Sequence, residues 1–301
     1  MKKSTKLLIL TAILGLAFSL TACNFSANNT DKNKKKTTNT NTPTNTPSGE
    51  SPVNPDEELE AIELPLTLQA ITNGNIIISG RYAFEKMQIQ KNDGLIIDAT
   101  ENVFVQAGDK IRFYASGYKY KTDGSNNLRI NSTADCYVYG NAMSLIYYTD
   151  FAGKTEIVDK YVLQKLFINN THIKNHESLD VVLPATTLSE SCYKMMFYGC
   201  TGITRAPELP APTLTKDCYN HMFFNCNNLN SIKCMAADVS AQNCTTNWLV
   251  NVAAAGNFTS VQENSIWKAK DVCSGIPKGL DSKPSIHFTK RKRNTINFRG
   301  Y

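Results

Sequence analysis

The chain has 301 residues, 42% of them apolar and 19% charged, with nine cysteines and a formal charge of +6. These are the proportions of an ordinary globular chain rather than a disordered or fibrous one. The positive balance does not describe a nucleic-acid binder. Lys2, Lys3 and Lys6 sit ahead of the first apolar run, and Lys290-Arg291-Lys292-Arg293 with Arg299 supply more than the whole excess that remains, so no folded segment carries a basic stripe.

Behind the first lysines an apolar stretch runs from Leu7 to Leu20 and ends in Leu20-Thr21-Ala22-Cys23. A positive start, a short apolar core and small residues before the cysteine describe an export leader over residues 1–22, too short and too asymmetric to persist as a spanning helix. The four residues resemble a bacterial lipobox. That resemblance implies lipidation of Cys23 by palmitate-type chains and a place in the cell envelope, lipid-anchored at the outer membrane or cell surface. Acyl chains contribute about 0.8 kcal/mol per buried methylene, and several together hold a protein on a bilayer.

From Asn24 to about Pro55, within residues 23–58, the chain is mostly Asn, Thr, Lys, Ser and Pro with almost nothing apolar after Phe25. Such a segment cannot bury enough surface to offset its ordering entropy and reads as a flexible tether. About 30 such residues span roughly 30 Å root-mean-square, which lifts the rest clear of the membrane.

Residues 59–141 carry a period of two. Val103 and Val105, then Ile111 and Phe113, alternate with polar neighbours around Ala107-Gly108-Asp109. Met87 and Ile89 do the same against Leu95 and Ile97 around Asn92-Asp93-Gly94. Both patterns predict hairpins. With Ile76 to Ile78, Leu128 with Ile130, and Cys136 with Val138, they predict a small all-β sandwich.

Residues 142–260 repeat. Leu183-Pro184-Ala185-Thr186-Thr187-Leu188 recurs as Leu209-Pro210-Ala211-Pro212-Thr213-Leu214, Cys192-Tyr193 as Cys218-Tyr219, Met196-Phe197 as Met222-Phe223, and Cys200 as Cys226, always 26 residues on. Leu166 to Ile173 echoes Met196 to Ile203 at 30, and Cys244 with Trp248-Leu249 echoes Cys218 with Met222-Phe223 at 26, as degenerate end repeats. A period in this range with a Leu-x-x-Leu-like segment predicts a leucine-rich-repeat solenoid. In each unit Ile203, Ala206 and Glu208, matched by Leu229, Ile232 and Cys234, fall on its strand template. Leu188, Cys192, Met196 and Cys200 at four-residue spacing predict a helix, capped by Thr187 and Glu190 and stopped by Gly199. The expected fold is therefore α+β, an N-terminal all-β sandwich-like domain followed by a short leucine-rich-repeat solenoid, with residues 261–301 as a C-terminal segment ending in the basic tail.

The combination of Leu-Pro-Ala-Thr-Thr-Leu, Cys-Tyr-x-x-Met-Phe-x-x-Cys and the closing Ile232-Lys233-Cys234-Met235-Ala236 resembles the BspA-like leucine-rich-repeat surface proteins of bacteria. The resemblance takes in Thr133 to Asn141 and Ser274-Gly275-Ile276-Pro277, and so covers roughly residues 70 to 279. It implies surface display and adhesion, with a host extracellular protein or another bacterial surface protein as partner. On the strand template Arg205, Pro207, Ser231 and Lys233 point outward and form a small, mildly basic binding strip. A glycan-binding lipoprotein is the alternative, with Tyr118 and Tyr120 of the sandwich presenting ring faces to a sugar.

No cofactor, metal or catalytic role is expected. Cys192, Cys218 and Cys244, like Cys200 and Cys226, recur at the repeat period and read as core ladders of stacked thiols. If oxidised, Cys192 with Cys218 or Cys200 with Cys226 are the pairs that one repeat brings together. There is no Cys-x-x-Cys, and His172, His176, His221 and His287 lack ligand spacing. No Gly-x-Ser-x-Gly elbow appears, and no histidine is placed beside a nucleophile, so an enzyme is not expected.

Overall fold

The computed structural model describes residues 60–119, 127–261 and 267, together with the backbone of 280–284, all within the compact unit Ser51–Tyr301. The leader, Cys23, the tether, Tyr120 and the basic tail lie outside the described residues. No helix among the described residues is long and apolar enough to cross a membrane.

The strands in chain order are β1 (Thr67–Ala70), β2 (Gly74–Ser79), β3 (Phe84–Lys91), β4 (Ile96–Asp98), β5 (Asn102–Val105), β6 (Lys110–Tyr118), β7 (Arg129–Ser132) and β8 (Cys136–Asn141). A single helical turn, α1 (Ser144–Tyr147), follows. After it come β9 (Ile173–Asn175), β10 (Val181–Val182), β11 (Ser231–Cys234), β12 (Gly256–Ser260) and β13 (Leu280–Pro284). One sheet runs β10-β8-β1-β6-β3-β4 with β9 also on β8, and a second runs β5-β2-β7. The alternation of side chains buries Leu68, Ile111, Phe113 and Val138 from the first and Ile76, Ile78, Val103, Val105 and Ile130 from the second in one core.

The expected hairpin of Met87 and Ile89 with Leu95 and Ile97 forms as β3 and β4, with Ile89 opposite Ile97. The other expected hairpin does not. β5 pairs with β2 while β6 pairs with β1 and β3, so Ala107-Gly108-Asp109 carries the chain from one sheet to the other. Gly108 there has φ +91° and donates its N–H to the Ala70 carbonyl. Alternation tells which face of a strand is buried, and both strands bury theirs in the same core from opposite sides.

The sandwich does not end at residue 141. β9 and β10 add to β8 in parallel, and Ile130 of β7 donates its N–H to the Leu166 carbonyl. One apolar core then continues from Leu66 through Phe167, Phe197 and Phe223 to Trp248 and Trp267.

The α+β expectation with a leucine-rich-repeat solenoid is corrected here. The described residues are mostly β, 33% strand against 4% helix, in several sheets, and the helix expected in each repeat is absent from them. Residues 190–199 are instead consecutive turns. The N–H groups of Cys192, Lys194, Met196, Tyr198 and Cys200 bond carbonyls three residues back. Those of Ser191, Tyr193, Met195, Phe197 and Gly199 bond Lys216, Cys218, Asn220, Met222 and Phe224 of the following repeat. Local and inter-repeat bonds alternate, so the backbone is satisfied without an i−4 ladder. Nor do Thr187 and Glu190 cap anything: Thr187 bridges to Glu156, and Glu190 pairs with lysines of the repeats on either side.

This geometry requires a left-handed residue at every fourth position. Ser191, Met195 and Gly199 have positive φ, as do Asp217, His221 and Asn225, then Asn243, Asn247 and Asn251, and ahead of them Tyr161, Lys165 and Asn169. Gly199 is therefore the last of a series rather than a helix stop, and an added Cβ there would collide with Asn169 Oδ1 of the previous repeat. Left-handed backbone costs roughly 1–2 kcal/mol per residue outside Gly, with Asn tolerating it best. About 1 kcal/mol per inter-repeat hydrogen bond and about 1.5–3 kcal/mol for each buried Phe or Met side chain outweigh it.

The buried rings stack along the repeat direction. Phe197 lies 5.5 Å from both Phe167 and Phe223. Tyr193 stacks on Tyr219 at 6.2 Å, and Tyr219 on Trp248 at 6.2 Å. One repeat beyond Tyr219 stands Thr245, its hydroxyl buried without a partner, and the indole of Trp248, one repeat beyond Met222, restores the lost volume. Phe197→Ala should cost about 3–5 kcal/mol in urea unfolding; a loss under about 1 kcal/mol would show that the ring column does not bind the repeats together.

Candidate binding face along the repeat ladder

On the side away from the turns the repeats meet through extended segments. Arg205 bridges to Ser231, Leu209 to Cys234 and Thr213 to Asp238, all in parallel, and β11, β12 and β13 form a parallel sheet with Lys233 opposite Thr259. Four steps separate Arg205 from Leu209 while three separate Ser231 from Cys234, so the earlier repeat carries one extra residue, a bulge. The template strand at Ile203, Ala206 and Glu208 is therefore broken into isolated bridges. Pro207 lies in the bulge, buried rather than outward, and does not belong to the expected strip.

The remaining strip residues are exposed or half-exposed but held. Arg205 Nε donates to Asp180 Oδ1 at 2.7 Å, and Arg205 Nη2 also donates to the His176 carbonyl. Asn175 fastens the Arg205 backbone from both sides, accepting its N–H and donating to its carbonyl. Lys233 Nζ meets Glu208 Oε2 at 2.8 Å. The strip is thus an alternation of paired charges rather than a basic surface. Tyr118 lies apart from it at the end of β6, its ring 5.2 Å from Phe84 and its hydroxyl donating to the Tyr161 carbonyl.

Between β10 and residues 206–210 the ladder is interrupted: among the described residues no pairing joins Val181 or Val182 to that segment, and the strands on either side belong to different sheets. Pro184, Pro207, Pro210 and Pro212 flank the break, each lacking the N–H a ladder needs. A cleft of about 440 Å³ opens there, lined by Ile62, Thr155, Asp180, Val181, Val182, Leu183, Pro184, Glu208 and Pro210. Its floor is apolar, and each of its two carboxylates is paired with a strip cation. The repeated Leu-Pro motif was the signal for this feature; Asp180, Asn175 and Ile62 lie outside the clear repeats, and no spacing marks them.

Charge also links repeats on the turn side. Glu190 accepts from Lys216 of the next repeat at 2.9 Å and from Lys160 of the preceding one at 3.0 Å. These two lysines, Lys216 foremost, hold its carboxyl down at about 2. Asp135 is lowered in the same way, by Lys174 and then His172. Seven cysteines, Cys136, Cys192, Cys200, Cys218, Cys226, Cys234 and Cys244, are buried and unbridged. Burial pushes the thiols of Cys192, Cys226 and Cys234 up to about 12, which leaves almost no thiolate at neutral pH. No group of three or more His, Cys, Asp or Glu side chains among the described residues is arranged to hold a metal ion.

Two measurements check this electrostatic picture. The folded protein at pH 8 should leave these seven thiols unreactive toward an aromatic disulfide reagent and release them only in denaturant; rapid native reaction would contradict their burial. Glu190 has a folded pKa below its ordinary value of 4.5, so its contribution is complete above 4.5 and fades as pH falls toward about 2. Glu190→Gln should therefore be less stable than the parent at pH 7 and indistinguishable from it near pH 2, and an unchanged difference across that window would exclude the paired carboxylate as the cause.

No family model, curated protein or solved structure matches this chain, so the functional reading rests on the leader and tether expected from the sequence and on the geometry of this face.

Proposed function

We propose that the protein is a lipid-anchored surface protein that attaches the cell to another macromolecule, a host extracellular protein or a bacterial surface protein, through the ladder face of its repeats. Leu20-Thr21-Ala22-Cys23 and the polar tether supply anchor and reach, and the resemblance to BspA-like surface proteins favours adhesion. The observation that carries the reading is the apolar cleft between the ion pairs Arg205–Asp180 and Lys233–Glu208. Concave apolar surface edged by oriented charges is the usual anatomy of a recognition site. Exposed ion pairs add little affinity each, so a single contact is weak and attachment depends on many copies per cell. No catalytic step is assigned.

The test uses cells displaying the full chain over immobilised matrix proteins. Arg205→Ala with Lys233→Ala should reduce attachment at least fivefold without unfolding the protein, because exposed ion pairs contribute only about 0–1 kcal/mol each. Tyr118→Phe, which keeps the ring on Phe84, should attach like the parent. Undiminished attachment by the double variant would remove the ladder face as the binding surface.

A further inference from the structure

The cleft beside β10 is lined by backbone as well as by side chains. In the pairing of β10 with β8, Gly140 donates its N–H to the Asp180 carbonyl and Ala142 donates to the Val182 carbonyl. Alternation along the strand turns the N–H and C=O of Val181 to the other side, into the cleft that Val181 lines. Across the cleft, Leu209 donates its N–H to the Lys233 carbonyl and accepts the N–H of Met235. The N–H and C=O of Glu208 therefore turn away from β11 and toward the same space. No hydrogen bond among the described residues reaches either pair. Val181 is only 5% exposed, and buried backbone groups of this kind ordinarily find a partner.

Asn175 shows what such a partner looks like. The two repeats touch at Gly202, where an added Cβ would collide with the Ile173 carbonyl, and they part from there on. At Asn175 the gap is bridged by a side chain: Oδ1 accepts the N–H groups of Thr204 and Arg205 at 2.8 and 3.0 Å, and Nδ2 donates to the Arg205 carbonyl at 2.9 Å. An amide thus stands where the peptide group of an adjacent strand would. Farther along, between Val181 and Glu208, the chain supplies no such amide among the described residues, and the cleft of about 440 Å³ takes its place.

The remaining lining does not select for charge. Its two carboxylates are neutralised by ion pairs, Asp180 with Arg205 and Glu208 with Lys233. Apart from Thr155 the other side chains are apolar, among them Ile62, Val182, Leu183 and Pro210. The cleft therefore offers main-chain donors and acceptors on both sides and apolar contact between them.

We infer that the occupant of this cleft is an extended, uncharged peptide segment of the partner protein, with apolar side chains at alternate positions. Its main chain supplies the donors and acceptors that Val181 and Glu208 lack, as the Asn175 amide does for Arg205, and its inward side chains cover Ile62, Val182 and Leu183. The inference rests on the ladder face being the binding surface, and it names the chemistry taken there as a main chain rather than a sugar or a charged patch.

The experiment titrates the full chain with a blocked peptide of alternating threonine and valine, with the same peptide N-methylated at its valines, and with cellobiose. Binding of the first, with slowed amide exchange at Val181 and Glu208, and about tenfold weaker binding of the methylated form are the expected results. Glu208→Pro removes an N–H from one wall and should weaken the peptide about tenfold, whereas Glu208→Gln keeps that N–H and should bind like the parent. Equal binding of the methylated peptide, binding of cellobiose in its place, or no peptide binding at millimolar concentration would overturn the inference. If Arg205→Ala with Lys233→Ala loses cell attachment while no peptide binds, this inference falls and the ladder face stands as the binding surface. Peptide binding alongside undiminished attachment by that double variant would uphold the cleft as a peptide site and overturn the adhesion reading instead.

Discussion

The alternation of backbone bonding in the turns is the constraint on which the repeat region depends. Every second N–H is used within its own turn and every other one is handed to the next repeat. A single repeat taken alone would leave half of those donors without a partner and expose the Phe, Tyr, Met and Cys side chains they align. Stacking is therefore a requirement of the local backbone, and the left-handed residues at four-residue intervals are the local cost that stacking offsets. The sandwich begins the stack, since β8 accepts β9 and β10 and the β7 edge bonds the first turns.

The same requirement explains where the surface is interrupted. Where prolines withhold their N–H groups, the ladder opens between β10 and residues 206–210, and side chains take over the linkage: Asn175 to the Arg205 backbone, Arg205 to Asp180. The cleft, the bulge at Pro207 and the paired charges at its edge are parts of one local event. Opposite charges held in alternation favour orientation of a partner over raw affinity, in keeping with the many-copy attachment proposed for this face.

Much of this was legible in the residues, and the rest was not for identifiable reasons. The 26-residue offset of Cys192 to Cys218 and Phe197 to Phe223 appears directly as inter-repeat bonding and ring stacking, and the weaker offset of 30 appears as Phe167 on Phe197. The four-residue spacing of Leu188, Cys192, Met196 and Cys200 misleads because a helix and a run of turns with this step place the same residues on one side. The discriminating signal lay at other positions: Asn243, Asn247 and Asn251 at intervals of four are poor in a helix interior and well suited to left-handed backbone. Arg205 and Lys233 could be placed by the template. Pro207 could not, because one additional residue changes the side to which everything after it points. The pairing of β5 with β2 was beyond alternation, which fixes a face and leaves the neighbour open.

The position of β1 has a mechanical consequence. The chain enters the described structure at residue 60 and reaches β1 within a few residues, and β1 lies inside its sheet with β6 on one side and β8 on the other. A pull arriving from that direction runs along Thr67–Ala70 and loads both flanking ladders lengthwise, so several hydrogen bonds resist at once instead of opening one by one like a zip. A tensile load entering here meets the interior of the sheet before any of its edges.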